Sequence, residues 1–152
     1  MDASKITPRI QKEIKNLETE QIPGVFITVD EKNLRHFRAA IVGPEGTPYE
    51  GGMFNVELFL TEAYPMEPPK VLFRTNIYHP NIDKLGRICL DILKTNWAPS
   101  LQVTKVFLSL QALLCSPNLD DPLDEQIADH FRKDEKGAIA KAKEWTLKYA
   151  NN

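Results

Sequence analysis

Cysteine and histidine are scarce in this sequence of 152 residues, which has two cysteines and three histidines. Cys89 and Cys115 cannot form the multi-disulfide framework of small secreted domains, so a reducing compartment, the cytoplasm or the nucleus, fits best. The histidines lie far apart, and no pair of histidine or cysteine residues has the spacing of a zinc site. The sequence therefore gives no reason to expect a bound metal.

Long apolar runs and a strong net charge are also absent. The longest apolar region, 106–115, is interrupted by Ser109 and Gln111 and is far shorter than the roughly 20 residues that a membrane-spanning helix needs. The formal net charge of −2 lacks the excess of basic residues that is typical of nucleic-acid-binding domains. The glycines of 43–52 precede a strand pattern rather than a helix, which excludes a phosphate-binding loop of the Walker or Rossmann type. We expect a protein that binds neither membrane nor nucleic acid.

The start of the chain predicts an amphipathic helix. Thr7 can cap it, and Pro8 suits its first position, where the missing N–H costs nothing. Its apolar face consists of Ile6, Ile10, Ile14 and Leu17. Its opposite face carries Lys5, Arg9, Lys12 and Lys15. This basic face is either a solvated surface or a docking surface for an acidic partner, and the pattern alone leaves both open.

Four strand patterns follow, at 25–29, 35–42, 53–60 and 70–74. Their spacing predicts a four-stranded antiparallel meander. The third pattern alternates, so that Phe54 and every second residue after it face the core. Phe59 then lies on the polar face beside Glu57, which makes this aromatic residue a candidate for an interface.

The second half of the chain is rich in helix patterns. Residues 104–115 are apolar nearly all round, which predicts a buried helix across the sheet with Cys115 as a small core residue. Asp121-Pro122 predicts the start of another helix, and Asp134 is expected to cap the last one. The order of elements predicts a single α+β domain over residues 1–152.

Between the two halves lies a long irregular segment, Tyr78–Gln102, with no clean period. Loops of this length in compact domains are usually functional. The segment contains Cys89, a possible nucleophile, with His79 and Asn81 upstream. A cysteine hydrolase would use His79 as its base. A histidine directly before Pro80 in a turn is equally well explained as a structural residue.

The sequence neighbours of Cys89 bear on its reactivity. Lys84 and Arg87 precede it closely, and cationic neighbours favour the reactive thiolate form of a cysteine. An acidic residue, Asp91, follows two positions later.

The spacing of His79-Pro80-Asn81, Cys89 and Trp97-x-Pro99 resembles the catalytic core of ubiquitin-conjugating enzymes. The Tyr64-Pro65-x-x-Pro68-Pro69 loop and the segment 117–122 are also similar to that family. The resemblance extends from about Pro8 to Tyr149. Within the family, the segments 85–94 and 111–114 are most similar to the member that builds lysine-sixty-three-linked ubiquitin chains with an inactive sister variant that lacks the cysteine.

The resemblance implies two acyl transfers with no bound cofactor, because ATP is used by the upstream activating enzyme. Cys89 would take ubiquitin from that enzyme as a thioester, and a lysine amine would then receive it. Asn81 would donate to the oxyanion or brace its loop. Asp121 would help to deprotonate the lysine or cap a helix. The implied acceptor channel contains Asp91 and Leu123, and the implied support for the site comes from His79 and Pro80.

The resemblance also implies two protein-binding surfaces. The first would contact RING-type ligases and, through its helix, the activating enzyme; it comprises Arg9, Lys12, Met66, Pro99 and Ser100. The second would contact the inactive variant; it comprises Glu57, Phe59, Leu72, Leu85 and Arg87. Leu72 stands where an arginine is expected, and Leu119 interrupts the usual run before Asp121.

Three other interpretations compete with this one. The chain could conjugate another ubiquitin-like modifier or build another linkage. It could be a cysteine hydrolase that uses His79, or a ubiquitin-binding scaffold without activity. The intact Cys89 argues against the scaffold.

Overall fold

The structure is a computed structural model that describes residues 6–151, so Lys5 of the predicted basic face lies outside the described residues. Within this range, the chain forms helices and one sheet in an α+β fold, as predicted. The elements are α1 (Pro8–Thr19), β1 (Val25–Asp30), β2 (Asn33–Val42), β3 (Met53–Phe59), β4 (Lys70–Phe73), α2 (Val103–Cys115), α3 (Glu125–Lys133) and α4 (Glu135–Tyr149).

The four strands form one antiparallel sheet in the order β1-β2-β3-β4, which confirms the predicted meander. On β3, Phe54, Val56 and Leu58 are buried, whereas Glu57 and Phe59 lie on the other face. This alternation follows from the period of two in a strand, where one face meets the core and the other does not. The polar face of β3 is therefore available for contacts outside the core.

Helix α2 belongs to the same buried cluster as the inner face of the sheet, through Val106, Phe107, Leu110 and Leu114. The predicted burial holds for one side of the helix only, and the prediction that Cys115 is a core residue is wrong. Leu108 and Cys115 are exposed, because only one side of the helix meets the sheet and positions 108, 112 and 115 form a stripe on the other. Cys115 is thus a surface cysteine rather than a core residue.

The predicted helix start at Asp121-Pro122 is also wrong. Helix α3 begins at Glu125, and its cap is Asp124, whose carboxylate accepts from the Ile127 N–H at 3.1 Å. The residues before it form a non-helical loop, because the N–H groups of Leu123 and Asp124 both donate to the Pro80 carbonyl. The cap of α4 at Asp134 is confirmed by the bond from the Gly137 N–H.

Helix α1 begins as predicted, with the Thr7 hydroxyl accepting from the Ile10 N–H. Its basic face is only partly solvated: Lys12 is exposed, but the Arg9 guanidinium bonds to Glu13 and to the Leu101 carbonyl at 2.7 Å. Arg9 therefore ties the helix to the end of the irregular segment.

Glu13 is a buried carboxylate that the sequence patterns do not reveal. It accepts bonds from the Val103 N–H at 2.7 Å, from Arg9 Nε at 3.0 Å and from the Tyr64 hydroxyl. The residue is 3% exposed, so burial is compensated by these three donors. One side chain thus joins α1, the start of α2 and the loop after β3.

We expect Glu13→Ala to lower the free energy of unfolding by about 2–6 kcal/mol, because the Val103 N–H and Tyr64 hydroxyl each lose a buried acceptor at roughly 1–3 kcal/mol. Urea denaturation measures this change. Glu18→Ala, at an exposed site on the same helix, is the control and should change stability by no more than about 0.5 kcal/mol. Equal effects of the two substitutions would show that Glu13 does not hold these segments together.

Candidate active site

The irregular segment is docked on the sheet by a turn at 83–87. The Asp83 carboxylate accepts from the N–H groups of Leu85 and Arg87, and the Gly86 carbonyl accepts from the Phe73 N–H at 2.8 Å. Gly86 has a φ of +86°, and a Cβ atom there would lie 2.0 Å from the Phe73 carbonyl oxygen. Only glycine allows this approach of the segment to β4.

His79 is completely buried, and both of its ring nitrogens bond to backbone. Nδ1 accepts from the Asn81 N–H at 3.0 Å, so Nε2 carries the proton and donates to the Leu113 carbonyl at 2.9 Å. Burial lowers the pKa of His79 to about 4, which keeps the ring neutral at physiological pH. This arrangement supports the structural interpretation and leaves a hydrolase without its base.

Asn81 is also completely buried and joins three segments. Its Nδ2 donates to the carbonyls of Asn118 and Asp121 at 2.9 and 3.1 Å, and its Oδ1 accepts from the Asn118 N–H at 2.8 Å. Its own carbonyl accepts from the Cys89 N–H at 2.8 Å. The side chain braces the loop that carries Asp121, and both of its amide hydrogens are occupied.

The Cys89 sulfur lies between a cation and an anion. Lys94 Nζ is 2.8 Å from Sγ, and Asp121 Oδ2 is 3.4 Å from Sγ. Lys94 was not among the residues singled out from the sequence. Of the two basic residues that were, Arg87 instead bonds to Asp83 at 2.6 Å, and the structure records no contact between Lys84 and the sulfur among its described residues.

A short 3-10 turn, Asp91–Leu93, directs Lys94 back to the sulfur. The Lys94 N–H donates to the Asp91 carbonyl at 3.0 Å, which reverses the chain after Cys89. The bond to the sulfur, together with nearby Asp121, raises the pKa of Lys94 above its ordinary value. Such a turn has no periodic sequence pattern, so the contact between Lys94 and Cys89 could not be predicted from the sequence.

A shallow groove opens beside Cys89, between the irregular segment and the end of α2. Asp91 and Asp121 line it, which brings together two of the residues predicted for amine transfer. Asp121 is well exposed, whereas the Asp91 carboxylate accepts from the Ile92 N–H and from Asn96. Leu123 is 41% exposed but is not part of the groove lining. The groove therefore offers a carboxylate within reach of the Cys89 sulfur.

The residues predicted to contact ligases come from three segments that the structure ties together. Arg9 binds the Leu101 carbonyl, and the Trp97 indole N–H donates to the Pro65 carbonyl at 2.9 Å. Met66 is 73% exposed at the tip of its loop. The remaining members of this set, Lys12, Pro99 and Ser100, are also exposed.

The residues predicted for the inactive variant surround the outer face of β3 and β4. Leu72 is paired with Glu57 across the strands and shares a groove with Arg87. Leu85 is 69% exposed on the turn beside them. Position 72, where an arginine was expected, carries a leucine that cannot pair with a carboxylate. Glu57 instead forms an ion pair with Arg74, whose Nη2 lies 2.6 Å from Glu57 Oε2.

Phe59, the aromatic member of that set, is stacked on His36 with ring centroids 4.5 Å apart. The His36 ring lies between the carboxylates of Asp30 and Glu57, at 3.3 and 3.5 Å. These contacts hold Phe59 in place on the outer face of the sheet.

Among residues 6–151, no group of three or more histidine, cysteine, aspartate or glutamate side chains is placed to hold a metal ion. In the same range, no helix is both long enough and apolar enough to cross a bilayer.

The chain is similar to known ubiquitin-conjugating enzymes over nearly its whole length. The family model for ubiquitin-conjugating enzyme matches residues 9–146. The chain is 54% identical over 147 residues to ubiquitin-conjugating enzyme E2 13 of Saccharomyces cerevisiae, covering 97% of this chain and 96% of that protein. It is 54% identical over 144 residues to ubiquitin-conjugating enzyme E2 N of Macaca fascicularis, covering 95% of each. The corresponding E2 N protein of Drosophila melanogaster is 52% identical over 147 residues, with 97% of each covered. The chain belongs to the ubiquitin-conjugating enzyme family.

Proposed function

We propose that Cys89 accepts ubiquitin from an activating enzyme as a thioester and passes it to a lysine amine. The observation that supports this most directly is the position of the sulfur, beside Lys94 and Asp121 at a groove that no histidine lines within the described range 6–151. A hydrolase must activate a thiol and water with a base, whereas a thioester is already a good acyl donor. The site is therefore suited to exchange between thioesters and amines.

In the first transfer, the Cys89 thiolate attacks the thioester carbonyl at the C-terminus of ubiquitin. A new carbon–sulfur bond forms at Cys89, and the cysteine of the activating enzyme leaves as a thiolate. In the second, a lysine amine attacks the Cys89 thioester, an isopeptide bond forms, and the Cys89 thiolate leaves. The chain itself holds no cofactor in this scheme, since ATP is used by the activating enzyme.

Asp121 is the residue we assign to the acceptor amine. A free lysine has a pKa of about 10.4, so it must lose a proton before or during attack. The Asp121 carboxylate lies 3.4 Å from the sulfur, and its side chain is largely exposed at the groove, where an amine approaching the thioester would meet it. It is placed to orient the amine and take its proton. Asp91 lines the same groove and adds negative charge there.

Asn81 is assigned first to bracing the loop of Asp121, because both amide hydrogens bond to backbone carbonyls in that loop. Donation to the oxyanion would require one of these bonds to be released when the thioester is bound. His79 and Pro80 support the same loop: His79 fixes the Asn81 backbone, and the Pro80 carbonyl accepts from Leu123 and Asp124.

Two exposed surfaces of the domain are proposed to bind protein partners. RING-type ligases and the activating enzyme would use the surface with Arg9, Lys12 and Met66, which Glu13 and Trp97 hold together. An inactive conjugating-enzyme variant would bind around Phe59 and position an acceptor ubiquitin so that one lysine, the sixty-third, reaches Cys89. The cysteine content favours the cytoplasm or the nucleus as the place of action.

We expect Cys89→Ser, incubated with activating enzyme, ATP and ubiquitin, to form a conjugate that resists reductant, because an ester replaces the thioester. The unsubstituted chain should form a conjugate that reductant cleaves on denaturing gels. Cys115→Ser is the matched control, since Cys115 is the other cysteine and is exposed on α2. Loss of charging in a folded Cys115→Ser chain would contradict the assignment of Cys89.

We expect Asp121→Asn to charge at least as fast as the unsubstituted chain but to discharge to free lysine about a hundredfold more slowly, as is typical for loss of a general base. The defect should shrink as pH rises, because more of the lysine is then already unprotonated. Single-turnover discharge of the purified thioester measures both effects. Asp120→Asn, next in sequence and also exposed, should discharge at the normal rate. A defect of constant size at every pH would instead indicate a disturbed loop.

We expect Phe59→Ala to leave thioester formation intact and to weaken binding of the inactive variant at least about thirtyfold, as is typical of an aromatic hot spot. Chain synthesis at limiting variant should then fall with occupancy, and mass spectrometry identifies the linkage. Leu147→Ala, which removes a large exposed side chain from α4, away from the sheet, is the control. Equal chain formation by the two variants would argue against the proposed surface.

A further inference from the structure

Lys94 contacts the reacting atom of the proposed thioester chemistry, although neither the sequence patterns nor the family resemblance gave it a role. Its Nζ is 2.8 Å from Cys89 Sγ and 3.8 Å from Asp121 Oδ2, and its side chain is 48% exposed. The three atoms form a compact triangle in which the cation faces both the nucleophile and the acceptor-side carboxylate.

This triangle addresses an electrostatic conflict between the two transfers. The second transfer uses the Asp121 carboxylate, which lies 3.4 Å from the sulfur. The first transfer needs Cys89 as a thiolate, and a carboxylate at that distance disfavours a second negative charge. An ammonium that contacts both groups offsets the repulsion.

The other charged and titratable groups around Cys89 do not supply this compensation. Asp91, from the same segment, adds a further negative charge to the groove. His79 is neutral and uses both nitrogens on backbone. Arg87 is paired with Asp83. Helix α2 contributes Ser109 and Leu113 to the groove wall, neither of which is charged.

We propose that Lys94 is a catalytic residue of the first transfer, and that its ammonium stabilises the Cys89 thiolate against the negative charge of Asp121. This inference rests on the proposed thioester function. The thiol proton passes to solvent before attack; the carbon–sulfur bond forms at Cys89 and breaks at the activating enzyme, whose thiolate leaves and takes a proton from solvent. Lys94 keeps its proton throughout, and nothing is oxidised or reduced.

The backbone supports this role because it fixes where the ammonium can reach. Lys94 follows Cys89 by five residues, and the 3-10 turn between them folds the chain back, with the Lys94 N–H donating to the Asp91 carbonyl. The turn is itself held by the Asp91 carboxylate, which accepts from the Ile92 N–H at 2.8 Å. The raised pKa of Lys94 is consistent with a cation that is stabilised by the sulfur and the carboxylate.

The first test measures the alkylation rate of Cys89 by iodoacetamide as a function of pH, in a Cys115→Ser chain so that the exposed cysteine does not react. Lys94→Met should move the pH midpoint upward by about one unit, and Asp121→Asn should move it downward. The double variant should lie between the two. Lys94→Arg should stay near the parent, because it keeps the charge. Lys84→Met, an exposed lysine of the same segment, is the matched control.

The second test measures the specificity constant, kcat/KM, for loading of ubiquitin by the activating enzyme. Lys94→Met should load about tenfold more slowly at neutral pH, with a difference that closes as pH rises above the shifted midpoint. A loss of structure would not produce this convergence, and urea denaturation of each variant checks that it is folded.

Two results would overturn the assignment of Lys94: an unshifted midpoint in Lys94→Met, or an equal shift in Lys84→Met. Failure of the proposed function has a different signature. If the parent chain took no ubiquitin onto Cys89, the first-transfer role would fall with that function, whereas a shifted alkylation midpoint would still establish the electrostatic contact between Lys94 and the sulfur.

Discussion

The structure of the site depends on one buried polar segment, His79-Pro80-Asn81. Its side chains and carbonyls bond to the end of α2 at Leu113, to the Cys89 N–H and to the loop that carries Asp121. A buried polar group without a partner costs about 1–3 kcal/mol, so these bonds strongly restrict the positions that the three surrounding segments can adopt. The Cys89 sulfur and the Asp121 carboxylate are thereby fixed relative to each other without any direct connection through a regular element.

That constraint also accounts for what the site lacks. Because both nitrogens of His79 are used to hold backbone, the histidine nearest to Cys89 in sequence has no free nitrogen with which to take a proton. In the proposed mechanism the thiol is therefore activated by charge rather than by a base, and the charges that contact the sulfur are those of Lys94 and Asp121. Two charges of opposite sign beside one sulfur suit the proposed chemistry, in which the cysteine is both an attacking and a leaving group.

Sequence patterns predicted the sheet, the amphipathic α1 and the position of Cys89 in an irregular segment between the sheet and α2, because each depends on local periodicity or on a motif of fixed spacing. They failed where a choice depends on tertiary contacts. Cys115 was expected in the core, but which side of an apolar helix meets the sheet is decided by packing. The start of α3 was placed at Asp121, although the Pro80 carbonyl accepts from the N–H groups of Leu123 and Asp124 and so delays the helix. Glu13 and Lys94 were missed because their partners are distant in sequence or are reached through an irregular turn.

The irregularity of Tyr78–Gln102 has a physical reason. This single segment contributes Leu85 to one proposed binding surface, Cys89 to the groove and Pro99 to the other surface. A helix or a strand runs along one straight axis and repeats its side-chain directions with a fixed period, so it would not carry these residues to three separate sites. An irregular path can do so, but its backbone N–H groups lose the regular ladder and need other acceptors. The carboxylates of Asp83 and Asp91 provide them, at the turn on β4 and at the turn that brings Lys94 to the sulfur. The acidic residues of this segment thus shape the path of the chain, and the path in turn determines which charges reach Cys89.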